Sequence, residues 1–390
     1  MLYNYAMPAE PHVALIIETS KVYGRELLLG ISRYVRNHGP WSVFTLERGQ
    51  NDPDPPWLAK WKGQGIITRS LDHVLCERAA RRSIPVVSLR HLHEQPKFPT
   101  IFPDQNLIGQ RIATHFLNRG FTNFAYCGVD DDKRWERIRR EAFAATVAEN
   151  GFGVAFYEPT DNRDFRKNWE REQEHIGKWL SGLEKPIGIM ASHDSQGMQL
   201  LDACRRIGVK VPDDIAVVSV DNDPVLCELA SPPLSSLDQN VRRIGFEAAA
   251  LLDRMMRGEK VANENLFFPP GEVVTRQSSD VIAVDDRNLS AAVRFIRERA
   301  LGPVDVSAIA SAAGLSRRSL EKKFNDSFGV SPMERVHEIR LRALKRLLVE
   351  TDHPLEHVAN LAGFEYHEYM SRFFKKRTGM TPGQFRKGHR

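Results

Sequence analysis

The chain has 390 residues, 42% of them hydrophobic, four cysteines and a formal charge of +5. That charge is uneven: Leu289–Arg390 carries 19 Lys/Arg against 11 Asp/Glu, a net of +8, whereas residues 1–288 carry 36 against 39, a net of −3. Two or three globular units are expected from the length, and apolar segments recurring throughout exclude disorder; no apolar run approaches the ~20 residues of a membrane span.

Val13–Ile17 is too short for a signal-peptide core, so a cytoplasmic protein is expected. Cys76, Cys127, Cys204 and Cys227 stand far apart without a CxxC pair, which predicts buried thiols rather than a zinc site or a disulfide framework.

After a polar N-terminal leader, short runs rich in Val and Ile alternate with segments of helical period. Val13–Ile17, Val43–Leu46, Gly65–Thr68, Pro85–Leu89, Phe124–Cys127, Val154–Tyr157, Ile187–Met190 and Ile215–Val220 read as buried strands. Between them Arg25–Asn37, Asn106–Asn118, Glu136–Glu149, Gln173–Leu180 and Ser195–Arg206 read as helices. Such alternation builds parallel sheets covered on both faces, and the strand number suffices for two sheets in a two-lobed α/β body.

Open parallel sheets bind ligands beyond the carboxyl ends of their strands. The residues there are polar: Glu18-Thr19-Ser20-Lys21, Arg90-His91, His193-Asp194 and Asp221-Asn222-Asp223. A carboxylate accepting two adjacent hydroxyls, or an Arg fork donating to them, holds a neutral polyol. No P-loop, GxGxxG, GxSxG or HExxH motif is present, so neither an enzyme nor a cofactor is expected. His91-Leu92-His93 has the spacing of a metal pair but no third ligand, and reads as a solvated loop.

Val13–Ile17, Pro103–Gly109, the helix around Arg139–Phe143, Val218–Asp223, Leu234–Asn240 and Pro269–Ser279 resemble the ligand-binding core of LacI-type repressors and periplasmic sugar-binding proteins. The resemblance implies Arg139 and Asp221 as central sugar ligands, with Gln239 and the His193-Asp194 pair beside them and Trp135 or Tyr23 stacking on the sugar ring. Proteins of this kind usually carry Asn-Asp where this chain has His193-Asp194.

Beyond Ser278–Asn288, a polar segment expected as the linker, strand signals vanish and a repeat begins. Ala310–Leu315 matches Ala359–Phe364 at an offset of 49, and Phe324, Gly329, Ser331-Pro332 and Glu334 match Phe374, Gly379, Thr381-Pro382 and Gln384 at an offset of 50. The extra residue is expected inside the second helix of the unit. Each copy reads as helix, Gly turn (Gly314, Gly363) and second helix. Leu320 and Phe324, or Tyr369 and Phe373, are expected to face the core. The outer faces then hold Arg317, Arg318, Glu321 and Lys322 in one copy, and His367, Glu368, Ser371, Arg372 and Lys375 in the other. Basic groups suit phosphates and guanine, and hydroxyls and carboxylates suit other base edges.

Ser331-Pro332-Met333-Glu334 has the form of a capping box opening an amphipathic helix over 332–349, and Thr381–Gln384 repeats the cap before a closing helix. At 1.5 Å per residue that connecting rod spans about one turn of DNA, enough to set two recognition helices in successive major grooves.

These hundred residues resemble the AraC-type DNA-binding domain, with helix-turn-helix units at 305–327 and 355–377. A sugar core followed by such a reader resembles bacterial regulators of xylose operons. The expected organisation is a ligand-binding and dimerisation domain over 1–278, a linker over 279–288 and a DNA-binding domain over 289–390. The resemblance implies a dimeric activator responding to D-xylose, acting on tandem double-stranded DNA sites with RNA polymerase as a partner. Response to another sugar or polyol, or a core used only for dimerisation, stays open.

Overall fold

A computed structural model describes residues 10–49, 52–70, 74–91, 94–128, 133–159, 169–281 and 286–388. The chain divides between Asp280 and Val281 into two compact units.

The first unit holds two six-stranded sheets. One runs Asn265–Phe268, Thr100–Pro103, Val86–Ser88, Gly65–Thr68, His12–Ile16 and Ser42–Thr45, all parallel. The other runs Val273–Val274, Ser235–Leu237, Ile215–Val220, Ile187–Ala191, Asn123–Cys127 and Val154–Phe156, parallel except for the pairing of Val273–Val274 with Ser235–Leu237. The two-sheet α/β expectation holds, but two strands expected as buried are edges. Val43, Phe44 and Phe156 are each more than 40% exposed, because a sheet's last strand lacks a neighbour to cover it. All four cysteines are free and buried.

The chain crosses between the sheets three times: at 103–105, at 238–241 and at 268–273. The crossings bind one another, Asp104 N–H donating to Phe268 O at 2.8 Å and Gly271 N–H to Asp238 O at 2.7 Å. The first leads into the helix Gln105–Leu117, capped by Asp104, which packs beside Arg134–Glu149. The second leads into Val241–Met256, a helix absent from the sequence reading, which lies against Val22–His38. Glycines permit that approach: a Cβ on Gly30 would stand 2.0 Å from Arg242 O, and one on Gly245 2.1 Å from Leu27 O.

The second unit is helical. Arg287–Arg299, also absent from the sequence reading, packs with Val306–Ala312 and Arg317–Phe328 around Leu320, Phe324 and Val336. Leu355–Leu361 and His367–Thr378 form a second cluster with Leu344, Leu348, Met370 and Phe374. The 19-residue helix Pro332–Glu350 supplies side chains to both, so each half completes its core on the same rod. Thr381 and Gln384 exchange backbone and side-chain hydrogen bonds as a full capping box before Pro382–Gly388. At Ser331 only the Glu334 N–H is capped, since the Glu334 carboxylate is engaged by Arg377.

Two details of the repeat differ from expectation. The extra residue is Glu365, in the turn, because both second helices begin at an offset of 50, at Arg317 and His367. Register therefore places Met370 and Phe374 opposite Leu320 and Phe324; Met370 is fully buried while Tyr369, expected in the core, is 49% exposed. Of the expected linker, Ser279 is buried in a 3-10 turn and Arg287–Asn288 begin a helix, while residues 282–285 lie outside the described residues.

Candidate functional site

Strand ends and helix starts from both sheets enclose a cavity of about 350 Å³. One wall carries Glu18, Tyr23, Arg69 and Arg90; the other carries Trp135, Arg139, His193, Asp221 and Gln239. Ligand recognition at the carboxyl ends of parallel strands follows from this topology, since loops there face a common crevice.

Arg139 is 2% exposed and bound on several sides. Its Nε and Nη2 both donate to Gln105 Oε1, at 3.0 and 2.7 Å, and its Nη1 donates to Ser192 O. Nη2 also reaches Gln239 Oε1 at 3.5 Å, and Gln239 passes a hydrogen bond from its amide to Asp221 Oδ1. Arg139 and Asp221 are thereby joined through a glutamine rather than paired directly. Each can present further polar edges to a ligand, donors from the guanidinium and acceptors from the carboxylate.

Asp221 has φ +113° and Asn222 +52°, backbone that side-chain-bearing residues rarely adopt. The turn is held by Asn222 N–H donating to Ser236 Oγ at 2.9 Å and by Arg276 donating to Asn222 Oδ1 at 3.0 Å. Burial first, then the Asp194 charge, raises the Asp221 carboxyl above the usual range, against the opposing pull of Arg139.

His193 stands where the resemblance leads one to expect asparagine, and its geometry shows what the ring can do there. Its Nδ1 accepts the Gln196 N–H at 3.1 Å, capping the helix Asp194–Arg206. Burial, then Lys21, Arg139 and Lys133, push its pKa down to about 3, so the ring is neutral with its proton on Nε2. An asparagine would offer the same pair of functions, a capping acceptor and an N–H donor.

Asp194 also has partners within the protein. It lines the cavity, yet Oδ1 accepts from Ser219 and Ser236 at 2.5 and 2.6 Å, and Oδ2 accepts the Asp223 N–H at 2.6 Å. Its carboxylate therefore ties the strands Ile215–Val220 and Ser235–Leu237 to the Asp223 turn behind Asp221. The aromatic candidates each have one ring face covered, Trp135 by Arg139 at 4.8 Å and Tyr23 by Arg69 at 4.2 Å. Arg69 is also paired with Glu18. His91 packs against Phe102 with ring centres 4.4 Å apart; Leu92 and His93 lie outside the described residues.

In the helical unit, Gly314 and Gly363 take φ of +63° and +81° and end the first helix of each copy. Arg317, Arg318, Glu321 and Lys322 are exposed on the following helix, as are His367, Glu368, Arg372 and Lys375 on its counterpart; Ser371 is half-exposed. Arg317 pairs with Glu321 at 3.0 Å, whereas Arg318, Lys322, Arg372 and Lys375 meet no carboxylate among the described residues. Unpaired cations on an outer face are available to phosphate oxygens and guanine edges.

Family models match the chain in three consecutive stretches: the XylR N-terminal domain over residues 12–106, a periplasmic binding protein-like domain over 113–279 and a helix-turn-helix domain over 309–388. The xylose operon regulatory protein of Haemophilus influenzae is 29% identical, covering 96% of this chain and 97% of its own length. That of Escherichia coli K12 is 27% identical, covering 96% of each. The solved structure of a xylose-binding transcription activator superposes with a TM-score of 0.71 at 26% identity, over 97% of this chain and 98% of its own. The chain is similar over nearly its whole length to these operon regulators. It is a DNA-binding transcription regulator.

The cavity brings together all seven residues expected at the sugar site. It adds Glu18, Arg69, Arg90, Gln105 and Lys133. Glu18 and Arg90 were already marked by their place after strands, and Arg69 carries the same signal after Thr68. Gln105 bore none, because a glutamine opening a helix has no periodicity that distinguishes it. No described helix is long and apolar enough to cross a membrane.

Proposed function

We propose that this chain is a D-xylose-responsive activator of transcription. The observation that carries the reading is the Arg139–Gln239–Asp221 chain of hydrogen bonds inside a cavity between the two sheets, in the same polypeptide as two helix-turn-helix units with exposed basic faces. In this reading Arg139, Asp221, Gln239 and His193 bind sugar hydroxyls, Trp135 and Tyr23 flank the ring, and Asp194 holds the loop behind them. Arg318 reads a base edge and Lys322, Arg372 and Lys375 grip phosphates, with Arg317, Glu321, His367, Glu368 and Ser371 setting register or touching further base edges.

Residues 1–278 then form a sensor that also pairs two subunits, 279–288 a linker and 289–390 the reader. Sugar closes the two lobes about the three crossings. Closure favours binding to tandem sites only to the extent that sugar prefers the DNA-competent state. The dimer recruits RNA polymerase in the cytoplasm, where the chromosome is. No reaction is proposed, since the relatives are regulators.

Calorimetry of the full chain with D-xylose, L-arabinose and D-ribose tests the reading. Heat with D-xylose is expected, lost in Asp221→Ala and Arg139→Ala. Heat only with another pentose replaces the sugar, and no heat with any pentose removes the sensor assignment while leaving the regulator.

A further inference from the structure

The last residues of the sensor run along one helix. Between the third crossing and Asp280, the chain is held by three basic side chains spaced four apart on and just beyond Gln105–Leu117. Arg111 Nη1 donates to Pro270 O at 2.8 Å and Gly271 O at 2.7 Å, on the crossing itself. His115 Nε2 lies 3.0 Å from Ser279 Oγ. Arg119 donates from Nε to Ser279 O at 3.1 Å and from Nη2 to Thr275 Oγ1 at 3.3 Å. The opposite end of the same helix is Gln105, whose amide oxygen takes two hydrogen bonds from Arg139 in the cavity.

We propose that this helix is a strut that carries sugar-dependent lobe closure from the cavity to the point where the chain leaves the sensor, with His115, Arg119 and Ser279 as its output contacts. The inference rests on the sugar-sensor reading above.

The physical argument is one of rigidity. A helix of 13 residues is about 20 Å long and transmits a displacement of one end to the other without bending. Its input is a buried charge-assisted contact, and its output fixes both the backbone and the hydroxyl of Ser279, one residue before the unit boundary. Segments gripped by backbone carbonyls follow the element that grips them, whereas a free strand would absorb the movement in its own dihedrals. His115 is buried and its pKa is pushed down to about 3, chiefly by burial and then by Arg119, so its ring acts as a neutral partner at working pH. Arg111 keeps the crossing in step with the helix, and the exit therefore moves with the second lobe.

These are positioning residues, and the coupling between sites is the quantity they alone should change. The test measures D-xylose affinity by calorimetry and operator affinity by fluorescence anisotropy, with and without D-xylose, on full-length wild type, Ser279→Ala and Arg119→Ala. Both variants are expected to keep sugar affinity and sugar-free DNA affinity within about twofold. The sugar-induced gain in DNA affinity, about 5–150-fold for couplings of ordinary size, is expected to fall to within about twofold of unity in Arg119→Ala and partway in Ser279→Ala. A full gain in both variants overturns the strut while leaving the sensor intact. A wild type that binds no D-xylose removes the sensor reading, and the strut with it.

Discussion

The guanidinium of Arg340 lies 5.3 Å from the ring centre of Phe364, joining the middle of the long helix to the turn of the second DNA-reading unit. The same group donates to Ala300 O at 2.7 Å and Gly302 O at 2.9 Å, in the loop that leads into the first unit. One side chain, 9% exposed, thus fixes both halves of the reader to a common rod. Arg340→Ala removes two hydrogen bonds from a cation and leaves two carbonyls short of a donor, a loss of about 2 kcal/mol. The denaturation midpoint of the reader should fall, and DNA carrying both half-sites should bind little better than DNA carrying one. An unchanged midpoint and an unchanged preference for the double site would refute the role.

Asp221 should set the pH dependence of sugar binding. Its carboxyl is raised by burial and by Asp194, so it takes up a proton at a pH where ordinary carboxylates are still charged. Sugar affinity that needs the anion should fall as pH drops through that raised value. The stability sign is opposite: a folded-state pKa above the unfolded value gives stability that is full below the unfolded pKa and lost as pH rises through the folded one. Asp221→Asn should therefore melt higher than wild type at neutral pH while binding sugar at least tenfold more weakly. A variant that melts lower and binds normally would contradict both halves of the argument.

Much of this was legible in the sequence, for physical reasons that differ by element. Runs such as Ile215–Val220, buried at every position, betray themselves because both faces of a central parallel strand are covered. Ser235–Leu237 is equally buried but does not read as a strand, since its two serine hydroxyls are satisfied inside, Ser235 donating to Arg276 O and Ser236 to Asp194 Oδ1. Val241–Met256 went unread because it carries buried residues on the sides facing both a helix and a sheet, which blurs a single apolar stripe. At the site, Arg139, Asp221 and Gln239 emerged from resemblance, but Gln105, which orients Arg139, stands 134 positions from Gln239 and the two reach the same guanidinium only in the fold.

His193 and His115 should make the sensor acid-sensitive above the carboxylate range. Each has a folded pKa near 3 against an ordinary 6.5. A lowered folded value gives stability that is present above the unfolded pKa and declines as pH falls from about 6.5 toward 3, because the unfolded chain binds the protons. Unfolding between pH 6 and 4 should take up more protons in wild type than in His193→Asn. Asparagine keeps the helix cap, so that variant should retain stability at pH 7, whereas His193→Ala should lose about 1 kcal/mol of it. Equal proton uptake in wild type and His193→Asn would show the ring to be charged in the fold.

The register of the second recognition helix separates neighbours that periodicity alone confused. Met370 is fully buried among Leu344, Leu348 and Phe374, while Tyr369 touches Phe364 from the surface with ring centres 5.9 Å apart. Met370→Ala should destabilise the reader by about 2–5 kcal/mol, the range for emptying a packed methionine site. Tyr369→Ala should cost far less in urea denaturation. The reverse order would restore Tyr369 to the core and shift the outward face by one residue.

With that register, Arg318, Lys322, Arg372 and Lys375 protrude without carboxylate partners among the described residues, and their roles on DNA divide by a salt experiment. A residue that grips phosphate releases about one counterion, so its alanine variant should bind all sequences more weakly and reduce the slope of log affinity against log salt by about 1. A residue that reads a base should lose about 1–3 kcal/mol on its preferred sequence and relax preference at one position. Arg318, within the first turn of its helix, is expected to show the second pattern, because the first turns of recognition helices enter the groove. Lys322, Arg372 and Lys375, a turn or more further on, are expected to show the first. Arg317 is already paired with Glu321, so removing it should change affinity less than removing Arg318. If Arg317→Ala proves the more damaging, that ion pair must open on DNA, and the base-reading face is turned toward Arg317.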